Sequence, residues 1–524
     1  MNMTWGDVPA ASAGVRRGLA GRPPCRAFAG IAIAILAPLF VAGCAVGPDF
    51  SKPAAPDISS YTAHPAATTA SSANVVGGEA QHFNRGGEIP ADWWTLFHST
   101  ALNALIEQSL KSNPDLEAAQ AALSVARENT LAGKGSNVPA VSAGMSASRQ
   151  QDPPGALAPV PSNNAFLYNL FTPQVSVSYV PDVFGLNRRS VESLQAQEQA
   201  VRFQAVAARV TLTANVVVAA IQQAALQAQV DATRRMIDAN TRMLGILRYQ
   251  SVKGYAGRLD VAAQESQLAQ VVATLPPLLK QLAQQHDLLA VLAGQFPSQL
   301  PDGKFELSSL HLPQDLPLSL PSTLVQQRPD VRQAEANLHA ASAQVGVAIA
   351  NRLPNISLTA NAGSTALAMG QLFKAGTGFW NLGADVAAPI FQGGSLRHQE
   401  RAAKAAYAQA AAQYRSTVLT AFQNVADTLA ALEQDAEGLK AAASAADAAK
   451  VTLDLSQRQW KDGYAGYLSV LNAEQAYQQS QINLVQAQAN RYADTAALYQ
   501  ALGGGWWQRG DTAHAVPTRD ADEK

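Results

Sequence analysis

The chain has 524 residues, and its 38 Lys and Arg against 39 Asp and Glu give a net charge of −1. Nucleic-acid binding requires a basic surface, so this balance excludes a nucleic-acid partner. Charged residues are only 15% of the chain, and both cysteines, Cys25 and Cys44, lie near the N-terminus, which excludes a disulfide-linked scaffold. Long runs rich in Ala and Gln favour long helices that pack closely.

The N-terminal residues have the features of an export signal. Four arginines lie between residues 16 and 26, and an apolar stretch spans residues 28–42. That stretch is shorter than the about 20 residues of a membrane span and is typical of a secretory signal peptide. The sequence Val41-Ala42-Gly43-Cys44 also resembles the bacterial lipobox. We therefore predict a signal peptide over residues 1–43 and a covalent lipid on Cys44, the first residue of the mature chain.

Composition sets three further segments apart from the main fold. Residues 44–90 are rich in Ala, Ser, Thr and Pro, which predicts a lipid-anchored tether. Residues 301–321 are rich in Pro and predict a connector. Residues 508–524 are mostly polar and predict a disordered tail.

The remaining sequence repeats itself, with landmarks that recur in order at shifts of 207 to 215 residues. The matched pairs are Asn113-Pro114-Asp115-Leu116 with Arg328-Pro329-Asp330-Val331, Val138-Pro139 with Leu353-Pro354, Phe184 with Phe391, and Gly254-Tyr255-Ala256-Gly257 with Gly463-Tyr464-Ala465-Gly466. Because the order is kept and the shift changes little, we predict two copies of one unit, over residues 91–300 and 322–507.

Each copy opens with a helical segment, over residues 100–132 and 322–351. Pro114 and Pro329 predict a break or restart in these segments, because the residue before a proline disfavours helix. Alternating apolar and polar residues follow, which predicts strands in two β-hairpins, over residues 137–181 and 354–389.

These strands have one apolar and one polar face, and their length suits a tilted bilayer crossing, as in outer-membrane barrels. A four-stranded sheet leaves two open edges, whose unpaired backbone groups cost several kcal/mol each in lipid. Closed barrels begin at about eight strands, so either other strands or several chains are required. Two chains would give eight strands and three would give twelve.

Each hairpin is followed by a very long helical pattern, a GYAG turn and a second helix. The helices are predicted over residues 188–250 and 259–292 in the first copy and over 396–461 and 468–502 in the second. Pro276 and Pro277 predict an interruption in the second of these. A coiled-coil rod is the alternative interpretation, but the chain has no strict Leu heptad, and the hairpins favour a helical tube that continues a β-barrel.

No enzyme signature is present in the sequence. It lacks the phosphate-binding, dinucleotide-binding and nucleophile-elbow glycine motifs, and none of its eight histidines has another at i+3 or i+4. We predict a protein that is not an enzyme and has no metal or cofactor apart from the lipid on Cys44. One alternative is a structural periplasmic lipoprotein without a pore, which the polar faces of four barrel-length strands disfavour. Another is an envelope hydrolase, for which the sequence offers no visible nucleophile–base pair.

Several motifs together resemble one family. They are residues 44–50 (Cys-Ala-Val-Gly-Pro-Asp-Phe), Asp92-Trp93-Trp94 with Phe97, Asn113-Pro114-Asp115-Leu116, Arg328-Pro329-Asp330-Val331 with Glu335, and residues 468–474 (Leu-Ser-Val-Leu-Asn-Ala-Glu). They resemble the outer-membrane efflux proteins, which are TolC-like channels, and within these the NodT-type lipoproteins.

The resemblance implies an α+β membrane protein that forms a homotrimer. Four strands per chain would make a twelve-stranded barrel in the outer membrane, continued by a long periplasmic α-helical barrel. The implied function is the exit duct of a tripartite efflux pump, which passively exports drugs or other small toxic compounds. Its implied partners are a periplasmic adaptor (membrane fusion) protein, an inner-membrane efflux transporter and outer-membrane lipid.

The same resemblance makes the two GYAG turns the periplasmic tips, where the tunnel narrows and the adaptor docks. The residues implied in docking are Gly254, Tyr255, Gly257, Gly463, Tyr464 and Gly466. The family often has acidic rings at this end, but the matching positions are the neutral Ser469 and Asn472, whereas the first copy has Arg258 and Asp260. We predict that Arg258 and Asp260 hold the tip closed; the alternative is that they are solvated helix-end charges.

Overall fold

A computed structural model describes residues 45–155, 165–300 and 305–509. Within these ranges the chain forms eight α-helices and six strands. In chain order they are β1 (His82–Arg85), α1 (Thr100–Ser112), α2 (Pro114–Lys134), β2 (Ala140–Gln151), β3 (Leu167–Tyr179), α3 (Leu186–Val252), α4 (Arg258–Leu292), β4 (Asp315–Leu318), α5 (Pro321–Gln327), α6 (Pro329–Ala350), β5 (Asn355–Ser364), β6 (Gly378–Ala387), α7 (Ser395–Lys461) and α8 (Tyr467–Ala501). The predicted signal peptide, the predicted lipid site Cys44 and residues 510–524 of the predicted tail lie outside the described residues.

The two copies have helices of equal length. Helices α3 and α7 each contain 67 residues, and α4 and α8 each contain 35. Helices α7 and α8 each begin 209 residues after their first-copy counterparts α3 and α4, which is also the spacing of the two GYAG turns. Helix α3 packs against α2, α4 and α6, and α6 packs against both α3 and α7. The sequence repeat is therefore also a repeat of structure.

The predicted break at Pro114 is present, because α1 ends at Ser112 and α2 begins at the proline. The side chain of Asn113 accepts hydrogen bonds from the backbone N–H groups of Asp115 and Leu116, at 3.0 and 3.1 Å. Proline suits the first helical position, since its missing N–H would have no partner there, and the asparagine cap satisfies the next two donors.

The predicted interruption at Pro276 and Pro277 is wrong, because α4 runs through both prolines. Each proline removes one hydrogen bond from the helix interior, which disfavours a free helix. Here α4 lies along α3, and the Gln285 side chain donates a hydrogen bond to the backbone oxygen of Ala219 on that helix, at 3.0 Å. Contacts with α3 on both sides of the prolines, at Gln264 and Gln285, hold α4 in place.

The predicted lipid-anchored tether over residues 44–90 is not a separate linker in its described part, residues 45–90, because these residues pack on the body of the chain. The ring of Phe50 stacks on His339 at 4.3 Å between centroids, and the hydroxyl of Tyr61 donates a hydrogen bond to the backbone oxygen of Ser319. Strand β1 pairs in parallel with β4 of the connector. A few aromatic and extended residues thus fix a segment whose average composition is that of a linker.

The main core lies where this segment and the connector meet the helices. The Trp93 ring is fully buried and stacks on Tyr499 at 5.1 Å between centroids, and Phe97 packs beside it. Arg328, at the start of α6, forms a two-pronged ion pair with Asp330 and donates to the backbone oxygen of Ala501 at 2.8 Å. The Trp93–Tyr499 contact joins the first copy to the second, and the Arg328 contacts fix the start of α6 to the end of α8 in the same core.

Candidate functional site

The four longer strands form one sheet in the order β2-β3-β5-β6, with every neighbouring pair antiparallel. Directly opposed residues share a face of a sheet. One row across the four strands is Val141, Val177, Ala360 and Leu382, and the adjacent row is Ser142, Ser176, Asn361 and Asn381. The sheet therefore has one apolar and one polar face.

Both faces are accessible in the single chain. On the apolar face, Trp380 and Leu382 are each 75% exposed, an arrangement suited to lipid contact. On the polar face, the Asn361 side-chain amide donates to that of Asn381 at 2.8 Å. The outer strands β2 and β6 each pair on one side only among the described residues, so the sheet has two free edges.

The two GYAG turns have the same geometry. Gly254 and Gly463 both have φ of +79°, a left-handed conformation that favours glycine after a helix. The N–H groups of Tyr255 and Tyr464 donate back to carbonyls five residues earlier, at 2.9 and 2.7 Å, and each tyrosine is 86% exposed. Gly257 and Gly466 then precede the first turns of α4 and α8. Each turn therefore exposes one tyrosine side chain at the end of a helix pair, α3–α4 or α7–α8.

Three of the predicted aperture residues, Arg258, Asp260 and Ser469, lie in the first turns that follow, and Asn472 lies in the second turn of α8. The carboxylate of Asp260 accepts a hydrogen bond from the N–H of Gly257 at 3.1 Å, and the hydroxyl of Ser469 donates to the carbonyl of Gly466 at 2.7 Å. Arg258 and Asn472 are exposed, and Arg258 forms no ion pair within the described residues. In the single chain, Asp260 and Ser469 therefore stabilise helix ends.

A buried polar network lies just beneath the tips, and sequence reasoning missed it. The hydroxyl of Tyr467 donates to the Gln264 side chain, whose amide donates to the backbone and side-chain oxygens of Asn240, at 3.0 and 2.9 Å. Burial raises the pKa of Tyr467, so its hydroxyl stays protonated. These residues belong to α8, α4 and α3, so the network joins the helix pair α3–α4 to the helix pair α7–α8.

The N-terminal strap, residues 45–52, is fixed where the sheet meets the helices. The N–H of Val46 donates to the backbone oxygen of Phe184 at 3.0 Å. The buried guanidinium of Arg189 donates to the Val46 oxygen at 3.1 Å and to the carboxylates of Asp49 and Glu192 at 2.7 Å each. Arg189 therefore holds the Val46-Gly47-Pro48-Asp49 motif in place, a contact that the sequence of the motif does not predict.

Buried charges link α7, α8 and the N-terminal segment. Arg491 is fully buried and donates to the Thr69 hydroxyl at 3.1 Å and the Glu79 carbonyl at 2.5 Å. Nearby, burial together with a hydrogen bond to Asp494 and the charge of that residue raises the pKa of Asp435 to about 7, and Arg491 only partly offsets this. Asp435 is therefore a carboxyl group that titrates near neutral pH.

Among the described helices, only α3 is long and apolar enough to cross a membrane by length and composition, and half of that stretch is buried in the chain. A core helix meets the same criterion, so this feature alone does not indicate a helical span. No three His, Cys, Asp or Glu side chains in the described residues lie close enough to share a metal ion.

Comparison with known proteins identifies the family. The family described as outer membrane efflux protein matches residues 105–295 and 320–504. The chain belongs to this family. It is 32% identical over 473 residues to the probable efflux pump outer membrane protein TtgC of Pseudomonas putida, an alignment that covers 89% of this chain and 94% of that protein.

Solved structures agree with this assignment. The outer-membrane channel OprN superposes with a TM-score of 0.78 at 27% identity, covering 88% of this chain and all of that one. The open-state MtrE channel of Neisseria gonorrhoeae gives 0.74 at 26% identity, covering 89% and 99%. The predicted family, the outer-membrane location reaching into the periplasm, and the role as exit duct of an efflux pump are confirmed. The TolC-like fold, with long helices continuing from strands, is confirmed at that level.

Proposed function

We propose that three copies of the chain assemble into a twelve-stranded barrel in the outer membrane, continued by a periplasmic helical barrel. The observation that carries this proposal is the sheet with one apolar face, one polar face and two free edges. Free edges are unfavourable in lipid, and closure around a polar lumen removes them. The assembled duct has no catalytic step, and drugs or other small toxic compounds pass through it passively.

The lipid on Cys44 anchors the duct at the membrane surface. Support comes from the strap, because Ala45 and Val46 lie against the turn that follows β3, where the strands end. The test is metabolic labelling with a palmitate analogue, which should mark the wild-type protein and leave Cys44→Ala unlabelled.

The tips dock the periplasmic adaptor, which links the duct to the inner-membrane transporter. Tyr255 and Tyr464 support this, because exposed aromatic side chains are typical of protein interfaces. Apolar side chains beside them are exposed as well, namely Val252, Leu259 and Leu468. The double variant Tyr255→Ala/Tyr464→Ala should lower efflux of a fluorescent substrate in cells. Single-channel conductance of the purified protein in planar bilayers should be unchanged, since the pore wall is intact.

These two readouts separate the possible failures. Unchanged efflux in the double variant would show that the two tyrosines do not take part in docking. Absence of any conductance in both the wild-type protein and Asp260→Asn would contradict the proposed twelve-stranded pore.

Arg258 and Asp260 hold the tips closed across neighbouring chains. Arg258 has no ion-pair partner within the described residues, which leaves its charge available to another chain. Asp260→Asn keeps an oxygen that can cap Gly257 but removes the charge, so it should raise closed-state conductance several-fold. Unchanged conductance would indicate that the residue acts only as the helix cap seen in the single chain.

A further inference from the structure

A cavity of about 350 Å³ lies beside the paired strands β1 and β4, away from the four-stranded sheet and the GYAG turns. Four ionisable residues line it, namely Glu79, His98, His311 and Asp315. Imidazole and carboxylate groups are the side chains that bind divalent metal ions in proteins. The exit-duct function uses none of these four residues, so the cavity needs a separate explanation.

The two histidines of the cavity are far apart in sequence but adjacent in the fold. The ring centroids of His98 and His311 are 5.6 Å apart, and the ring planes meet at 88°. The N–H of His311 donates to the backbone oxygen of Phe97 at 3.0 Å, so the backbones that carry the two rings are joined directly. Phe97 and Leu312 are buried next to them, whereas both histidines are exposed. The two imidazoles therefore project into solvent from a fixed backbone.

His98 has an unusual backbone conformation. It follows the short helical turn Trp93–Phe97 with a φ of +51°, and its N–H donates to the Thr95 carbonyl at 2.9 Å. This left-handed conformation is uncommon for a residue other than glycine, although histidine adopts it more often than most. Residues in such conformations are held by their surroundings and cluster at functional sites. Here the conformation ends the helical turn and places the His98 ring at the wall of the cavity.

The separation of the two rings suits joint binding of one zinc ion. An imidazole nitrogen lies about 2.0–2.1 Å from zinc, so in a tetrahedral site the centres of two bound rings are roughly 5 Å apart. The centroids of His98 and His311 are 5.6 Å apart, which is close to that distance. Because both side chains are exposed, rotation of the rings is enough to turn one nitrogen of each toward a common point.

From this geometry we propose that His98 and His311 bind one Zn²⁺ ion, with water completing its coordination. Among the described residues, no third His, Cys, Asp or Glu lies close enough to act as a further ligand. Glu79 and Asp315 therefore contribute negative charge at the cavity wall rather than a bond to the ion. Two protein ligands are fewer than the three or four of dedicated zinc sites, so the ion should exchange readily with the surrounding solution.

A bound ion would connect two segments that the main core also brings together. His98 follows the Trp93–Phe97 turn, and His311 belongs to the predicted connector, residues 301–321. An ion that binds only the folded chain stabilises it, and a link between distant positions closes a long loop. The site would thus make the contact between the N-terminal segment and the connector depend on zinc.

Zinc titration of the purified, detergent-solubilised protein tests the site, with an affinity tag that contains no histidine. Isothermal titration calorimetry at pH 7.5 should show a single Zn²⁺ ion per chain, and His98→Ala/His311→Ala should lose it. Imidazole binds zinc only when it is deprotonated, so wild-type binding should weaken at pH 5.5. The matched control, His64→Ala/His398→Ala, removes two exposed histidines that do not line the cavity and should bind zinc as the wild type does.

Urea unfolding followed by circular dichroism gives an independent readout. Added Zn²⁺ should raise the urea midpoint of the wild type and of His64→Ala/His398→Ala, and should leave that of His98→Ala/His311→Ala unchanged. The dichroism signal without zinc also shows whether each variant folds. If the double variant does not fold, His311→Gln takes its place, because it keeps the backbone N–H that bonds to Phe97, and it should likewise lose the ion.

Two results would overturn the inference. One is a wild-type protein that binds no zinc at pH 7.5. The other is a folded variant without His98 and His311, or without His311 alone, that still binds a single ion per chain with wild-type affinity. In that second case the ion lies elsewhere on the protein, and the two rings are in contact for packing only.

Discussion

Asp435→Asn should remove a pH dependence from the stability of the helix pair α7–α8. Asp435 lies on α7, with one carboxylate oxygen buried and without a hydrogen-bond partner in the described chain, and it hydrogen-bonds to Asp494 on α8. Its pKa is raised from 3.8 to about 7 by burial and by Asp494. The folded state therefore binds a proton that the unfolded state has already released, so stability present at low pH is lost as the pH rises from about 4 through about 7.

The size of the effect follows from the pKa difference. Each pKa unit corresponds to about 1.4 kcal/mol, so this carboxyl alone would make the protein about 3 kcal/mol less stable at pH 8 than at pH 5. Asp435 is partly accessible to solvent, and screening reduces the expected difference to about 1–2 kcal/mol. An asparagine keeps the hydrogen bond and never ionises, so the variant should be more stable than the wild type at pH 8.

Urea unfolding in detergent, followed by helical circular dichroism at pH 5 and pH 8, measures this difference. The control is Asp454→Asn on the same helix, whose carboxylate forms an exposed pair with Lys450 at 3.2 Å. The control should keep the pH dependence of the wild type. If Asp435→Asn also keeps it, the titrating group lies elsewhere and the reasoning is refuted.

Three further substitutions test individual contacts. Gly47→Ala would place a Cβ 2.4 Å from the Cα of Gly346 at a φ of +98°, so it should release the strap at a cost of about 2 kcal/mol, seen as faster proteolysis of the N-terminal segment. Arg328→Met should lower the free energy of unfolding by about 1–3 kcal/mol in urea melts, because it removes the buried hydrogen bond to the Ala501 oxygen and the two-pronged pair with the partly exposed Asp330. Tyr467→Phe should cost about 1–3 kcal/mol, because it leaves the Gln264 oxygen unpaired, and should speed hydrogen exchange at the tips only.

Each of these expectations has a contradicting result. Proteolysis of Gly47→Ala at the wild-type rate would show that the strap tolerates the added methyl group. An unchanged urea midpoint for Arg328→Met would show that the ion pair does not stabilise the fold. Exchange that rises along the whole of α8 in Tyr467→Phe would indicate global loosening rather than a local role at the tips.

The strands and long helices were predictable because their pattern is local. In β2, Val141 lies on the apolar face and Ser142 on the polar face, and the register across all four strands of the sheet keeps that alternation. The helices after each hairpin begin and end at matching residues of the two copies. A periodic pattern repeats every few residues, so it can be recognised in the sequence without knowing which segments pack against each other.

The prolines show where local rules stop. Pro114 starts a helix as predicted, because its preceding Asn113 caps the new helix within three residues. Pro276 and Pro277 do not stop α4, because the support comes from α3, more than fifty residues away in sequence. The same rule therefore holds in one place and fails in the other.

The sequence alone determined the family, the two-copy plan, the alternating strands and the positions of the two exposed tips. Only the tertiary structure decided that the N-terminal segment is fixed, that Arg189 and Arg491 are buried among distant partners, and that Asp435 lies beside Asp494. The physical reason is that burial and charge pairing depend on which segments meet in space. A composition rich in Ala, Ser and Pro describes the average residue of a segment, whereas one stacked Phe50 and one bound carboxylate at Asp49 determine where that segment lies.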